Sequence, residues 1–177
     1  MRLAAAMVSL MAITVSHAGT VTAVPHVDLA RYAGQWHEIA RLPMYFQRQC
    51  DRNVTATYTP HADGTIGVHN ACVKKDGSSI ASDGVARLAD PKGPSSRLQV
   101  RFAPRWLSWL PFVWADYWVI ALDDHYRWAM VGQPGQKYLW ILSREPSLDR
   151  ATFDTLKTRA VGMGYDLTPL IISGTVE

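Results

Sequence analysis

The stretch Gly34-Gln35-Trp36-His37-Glu38-Ile39-Ala40-Arg41 decides how the rest of the chain is read. Alternation puts Trp36, Glu38 and Ala40 on one face and His37, Ile39 and Arg41 on the other, as a strand with two differently used faces requires. Gly34 lets the chain turn tightly into that strand, and the indole of Trp36 is large enough to plug a core. The sequence on either side can therefore be sorted by which of its strands continue the Trp36 face.

Downstream, 53–59 and 65–73 are β-rich runs joined by Pro60-His61-Ala62-Asp63-Gly64, whose Asp-Gly marks a turn. Antiparallel pairing brings Cys50 near Cys72, both on the face shared by Val54, Ala56, Tyr58, Val68 and Asn70, so a cross-hairpin disulfide is expected. A redox pair or metal site is disfavoured, because there is no CxxC and no histidine cluster beside them. After a polar loop, 80–88 forms a fourth strand whose even face carries the small residues Ser82, Gly84 and Ala86. Residues 97–103 alternate cleanly, with Leu98, Val100 and Phe102 against Gln99 and Arg101. Next comes Pro104-Arg105-Trp106-Leu107-Ser108-Trp109-Leu110-Pro111-Phe112-Val113-Trp114, too broken by proline for a strand and too apolar for an ordinary solvated loop. Strands at 116–122, 126–132 and 137–144 follow, which makes eight in up-and-down order. Ser147 is placed to cap a helix over 148–163, whose apolar stripe of Leu148, Ala151, Phe153, Leu156 and Ala160 would dock outside the sheet, and Gly162 and Gly164 would stop it. A short strand over 166–172 closes the chain.

At the front, Arg2, the apolar run 3–15 and the small residues Ser16 and Ala18 have the three parts of a secretory signal peptide, with cleavage after Ala18 or, alternatively, after Ala23. The competing reading, a membrane anchor, needs about 20 apolar residues, more than this run supplies. The expected organisation is a signal peptide over 1–18, an extension over 19–26 and one domain over 27–177. A chain of 177 residues, 48% hydrophobic, suits a single domain with a sizeable core.

Three stretches taken together, Gly34 to Arg41, Leu122-Asp123-Asp124-His125-Tyr126-Arg127 and Leu139-Trp140-Ile141-Leu142-Ser143-Arg144, resemble the three signature regions of the lipocalin family. The resemblance runs from about Val27 to Ile172. Through VDLARYAGQWHEIARLP, NVTATYTPHADGTIGVHN and YLWILSREP the chain is similar to bacterial lipocalins of the outer-membrane lipoprotein type. It implies an all-β fold, an eight-stranded antiparallel up-and-down barrel or calyx with one C-terminal α-helix outside and a short ninth strand. It also implies a barrel base built on Gly34, Trp36 and Arg144, with Arg144 packed over Trp36. His37 stands where the family usually has Tyr, and Asp124-His125 replace the commoner residues before Tyr126, so different hydrogen bonds are expected to seal the base. The relatives that are lipoproteins carry a Cys directly after the signal peptide; here the first Cys is Cys50, so a periplasmic or secreted protein without a lipid anchor is expected.

No zinc spacing, phosphate loop or nucleophile elbow is present. His17 leaves with the signal peptide, His26, His61 and His125 read as solvated turn residues, and His37 and His69 lie on outward strand faces, so no metal or cofactor is expected. The charge of +3 is modest and its basic residues are interspersed with acidic ones, which argues against nucleic acid. Parity, joined to the resemblance for the later strands, lines the calyx with Glu38, Ala56, Tyr58, Val68, Asn70, Gly84, Val100, Phe102, Trp128, Met130, Tyr138 and Trp140. A carboxylate there is costly unless paired, so Glu38 is either satisfied by a neighbouring Tyr, Asn or Arg or receives a ligand's head group.

The resemblance implies a monomer or weak dimer that stores or carries a fatty acid or lysophospholipid. The alternatives are a lipid- or pigment-modifying enzyme and a haem or tetrapyrrole carrier. The loop 104–114 would then lie at the barrel's mouth and has two readings. It is a lid with Leu110 and Phe112 packed inside, or a membrane contact through Trp106, Trp109 and Trp114, with Arg101 and Arg105 approaching an anionic surface.

Overall fold

The structure, a computed structural model, describes residues 19–177; the expected signal peptide lies outside the described residues. Eight strands follow one another: β1 (Gly34–Arg41), β2 (Cys50–Pro60), β3 (Ile66–Lys74), β4 (Ser79–Leu88), β5 (Arg97–Arg101), β6 (Ala115–Leu122), β7 (Trp128–Gly132) and β8 (Leu139–Ser143). Each pairs antiparallel with the next, and β8 returns to β1, which closes the barrel. A one-turn helix α1 (Leu29–Tyr32), capped by the Asp28 carboxylate, leads into β1 across the base.

The chain ends differently from the sequence expectation. Ser147 does not cap the helix: β9 (Ser147–Leu148) is extended and pairs in parallel with β11 (Thr175–Val176). Asp149 caps instead, its carboxylate accepting from the Thr152 N–H at 2.8 Å, and α2 spans Arg150–Gly162. The expected strand over 166–172 shrinks to β10 (Ile171–Ile172), because Asp166 and Leu167 accept turn hydrogen bonds from Thr168 and Leu170.

The upper half of β1 has an unusual neighbour. Its ladder with β2 ends at His37, and beyond that β10 takes the place of β2, pairing Ile172 with Ala40 and Ile171 with Arg41. β2 leaves that ladder through two bulges on its β3 side, with Asn53 in the left-handed region at φ 51°, a conformation Asn tolerates. Unbroken pairing from Pro60 and Ile66 would set Cys50 opposite Asp76; the bulges bring it opposite Lys74 instead. Cys50 and Cys72 are thereby joined, their Cα atoms 5.5 Å apart.

Two apolar layers result. Outside the barrel, Phe153, Leu156 and Ala160 of α2 pack on Ile39, Ile120, Met130, Leu139 and Ile141. Inside its lower half, Trp36, Tyr58, Val68, Ala86, Leu98, Val119, Val131 and Leu142 fill the space between the strands.

Candidate functional site

The base is built around the fully buried Trp36, whose indole N–H donates to the Tyr32 carbonyl at 2.8 Å. The Arg144 guanidinium lies 3.9 Å from the centre of that indole and donates to the carbonyls of Gln35 and Arg31 at 2.8 and 2.7 Å. Gly34 has φ +92°, a left-handed backbone that calls for glycine, and it lies directly beneath the same guanidinium. The turn that replaces the commoner signature is held by Asp123. Its carboxylate accepts from the Arg127 side chain at 2.9 and 3.0 Å and from the Arg127 and His125 backbone N–H groups, and these bonds lower its pKa to about 2. Tyr126 completes the seal, its hydroxyl accepting from the Asp28 N–H at 2.8 Å.

Above the indole, the hydroxyls of Tyr32 and Tyr58 each meet that of Tyr117, at 2.9 and 2.8 Å. Burial raises all three phenol pKa values, that of Tyr58 to about 12, so the cluster is neutral. Three hydroxyls share two hydrogen bonds, which leaves one O–H without an acceptor in the cluster. Beside it lies a cavity of about 10 Å³, bounded also by Ile66, Ala86, Leu98 and Val100, about the room one water needs.

Higher up, the inner wall opens. Tyr58, Val68, Ala86 and Leu98 are buried, whereas Ala56, Asn70, Gly84 and Val100 are half-buried and Ser82 and Phe102 exposed. Among the described residues, none is a hydrogen-bond partner of the Asn70 side-chain oxygen. On the opposite wall, Trp140 donates to the Gln47 side-chain oxygen at 2.9 Å, and Tyr138 stacks between Trp140 and Phe46.

Glu38 sits at the foot of that wall and is fully occupied. One carboxylate oxygen takes Arg41 at 2.5 Å and the Ser173 hydroxyl at 2.6 Å, the other the Gln47 amide at 3.0 Å. Simple alternation would have sent Arg41 outward with Ile39. A bulge between Glu38 and Ala40 reverses the faces, so Ala40 turns outward opposite Ile141, and Arg41 turns inward opposite Trp140.

Two of the expected lining residues lie elsewhere. Trp128 and Met130 pack outside the barrel, against the layer under α2, and Ala129 and Val131 face inward. The helix needs an apolar wall to sit on, so β7 is apolar on both faces and its alternation carries no sign of which is which. Tyr32, Tyr117, Arg41, Gln47 and Ser173 were not among the expected site residues. Tyr117 was within reach of parity, two residues before Val119; Tyr32 and Gln47 lie in a short helix and a loop turn where alternation does not apply, Arg41 depends on a bulge and Ser173 on the distant chain end.

The mouth loop is two short 3-10 turns, Arg105–Leu107 and Pro111–Val113. Trp114 folds against the outer wall, with the Arg87 and Arg101 guanidiniums 3.8 and 5.2 Å from its ring centre and its N–H on the Ser108 carbonyl. Arg101 is thereby buried, also donating to the Ala103 carbonyl, and is not at the surface.

Comparison with known proteins places this geometry. Residues 27–174 match the lipocalin-like domain family. The chain is 40% identical over 148 residues to temperature-induced lipocalin-1 of Arabidopsis thaliana, covering 83% of this chain and 78% of that one. It is 38% identical over 153 residues to outer membrane lipoprotein Blc of Citrobacter freundii, covering 85% and 81%. In shape it is similar to insecticyanin of the tobacco hornworm Manduca sexta, with a TM-score of 0.66 at 22% identity, covering 91% and 92%. The closed eight-stranded barrel, the Arg144-capped Trp36 at its base and these matches together make the chain a member of the lipocalin family, whose barrels bind small hydrophobic molecules.

Proposed function

We propose that this lipocalin carries a single-chain amphiphile, a fatty acid or lysophospholipid, with its tail in the upper calyx and its head at the mouth. The observation that supports this is the change in exposure along the inner wall: side chains facing inward are packed below Val100 and reachable from Ala56, Asn70 and Gly84 upward. Ala56 of β2 and Ser82 of β4 are the small inward residues left uncovered, and Trp140 and Tyr138 supply an apolar wall opposite. Glu38 belongs to the scaffold in this reading, since Arg41, Gln47 and Ser173 already use its carboxylate. The Asn70 oxygen is the free polar group that a ligand hydroxyl would meet. The disulfide fits an oxidising compartment, and similarity to outer membrane lipoproteins points to the bacterial envelope, so we assign the protein to the periplasm. Cys50 and Cys72 are joined, so neither offers a thiolate for catalysis. Titration with a dansyl-labelled fatty acid tests the reading. Saturable enhancement displaced by oleate and by lysophosphatidylethanolamine is expected, and no enhancement would overturn it.

A further inference from the structure

Large apolar side chains are concentrated at one end of the barrel. Trp106, Trp109 and Phe112 are 73%, 76% and 80% exposed, and Tyr45 and Phe46 of the neighbouring β1–β2 loop stand beside the same opening. A lid would have buried Phe112. Trp114 explains why the loop stays out: clamped between Arg87 and Arg101, it pins the end of the loop to the outer wall.

Two further properties say what covers this patch. The loop satisfies part of its own backbone: Leu107, Ser108, Leu110, Val113 and Trp114 each donate to a carbonyl three residues earlier, and the N–H groups of Arg105, Trp106, Trp109 and Phe112 suit a headgroup layer, where water and phosphate oxygens remain as acceptors. Charge is also sorted between the ends. The loops at the mouth, with the segment that leads into β10 beside them, hold Arg48, Lys75, Arg105 and Lys137 against Asp76 and Asp166, and Asp76 already faces Lys74 at 3.6 Å. The loops at the base hold Asp63, Asp90, Asp123, Asp124 and Glu145 against Lys92, Arg127 and Arg144. Exposed indoles rimmed by unpaired cations suit an anionic lipid headgroup layer. They do not suit a second copy of the chain, because a two-fold contact between mouths would set these cations against one another.

We propose that the mouth docks on an anionic phospholipid bilayer, with Trp106, Trp109 and Phe112 seated at headgroup level and the calyx opening onto the lipid. The docking stands on the patch itself; only the passage of an amphiphile between bilayer and calyx rests on the carrier reading.

The test is sedimentation of ligand-free protein with vesicles of equal phosphatidylglycerol and phosphatidylcholine, and with phosphatidylcholine alone. The protein should bind the mixed vesicles and release with salt. The combined substitution Trp106→Ser, Trp109→Ser and Phe112→Ser should lower partitioning about tenfold or more, and Arg105→Glu about fivefold or more, with circular dichroism and dansyl fatty acid affinity in solution unchanged. No binding by the parent protein, or equal binding by the triple variant, overturns the proposal. So does a loss of solution affinity with vesicle binding intact, which would make the loop a lid. A dimer dissociated by the triple substitution would assign the patch to a second copy and also overturn it. Because vesicle binding is measured without ligand, its failure and that of the carrier reading are separate results.

Discussion

The ring of Phe102 lies against Gly84, so near that a β-carbon on Gly84 would stand 2.8 Å from it and 2.8 Å from the Arg101 carbonyl oxygen. The room that a glycine leaves on the inner wall is thus taken by an aromatic ring from the next strand. The ring is exposed and can swing away, whereas the carbonyl belongs to the barrel wall. Gly84→Ala is expected to cost about 1–3 kcal/mol in urea unfolding. Ala56→Trp, on a half-buried stretch of the same wall, should instead abolish dansyl fatty acid binding while the circular dichroism spectrum holds.

Removing Glu38 strands a buried cation. Arg41 is 4% exposed, and its remaining contacts are the carbonyls of Gln47 and Cys50 at 3.5 and 3.3 Å. Glu38→Ala should therefore cost about 3–5 kcal/mol, and Glu38→Leu with Arg41→Met should recover most of it. The check is urea denaturation of the single and double variants. A Glu38→Ala protein as stable as the parent, with weakened ligand binding, would reassign the carboxylate to the ligand.

The tyrosine cluster sets an alkaline limit. Burial lifts the Tyr58 phenol to about 12 in the folded state against 10 unfolded, and Tyr32 and Tyr117 move the same way. Their contribution is complete below pH 10 and is lost as pH rises toward 12, because the unfolded chain releases those protons first. Stability measured from pH 9 to 12 should fall steeply, and Tyr58→Phe should flatten the fall.

The mature protein is expected to begin at Gly19. Val21 is buried in the layer under α2, the Val24 N–H donates to the Val119 carbonyl at 2.9 Å, and the Gly19 carbonyl accepts from Gln136 at 3.0 Å. Cleavage after Ala23 would discard the first and last of these. Amino-terminal sequencing of exported protein decides between the sites, and a start at Val24 would refute this one.

What could be read from the sequence depended on whether a strand's two faces differ. In β2, β3 and β5 they do, and the inward places of Tyr58, Val68 and Leu98 followed from alternation. The Cys50–Cys72 bond was legible from proximity across the hairpin, although the register that delivers it needs two bulges that no residue announced. In β7 both faces are apolar, so Trp128 and Met130 were assigned to the wrong side. Arg41 was lost to a bulge, and Ser173, another partner of Glu38, lies 135 residues from it, beyond the reach of any local pattern. The cap failed similarly: Ser147 has the right chemistry, but its backbone is claimed by Thr175, which pairs with it from the far end of the chain.

That dependence on the far end reaches the order of assembly. The upper half of β1 is made early and finds its neighbour on one side only in Ile171 and Ile172. Until those residues emerge, a strand edge beside Ala40 and Arg41 lies open, and neither a shorter chain nor a stalled one can shut the wall. The C-terminal segment is therefore the last stave of the barrel, and a truncation before Ile171 leaves a slot along the calyx, with Glu38 deprived of its Ser173 hydroxyl.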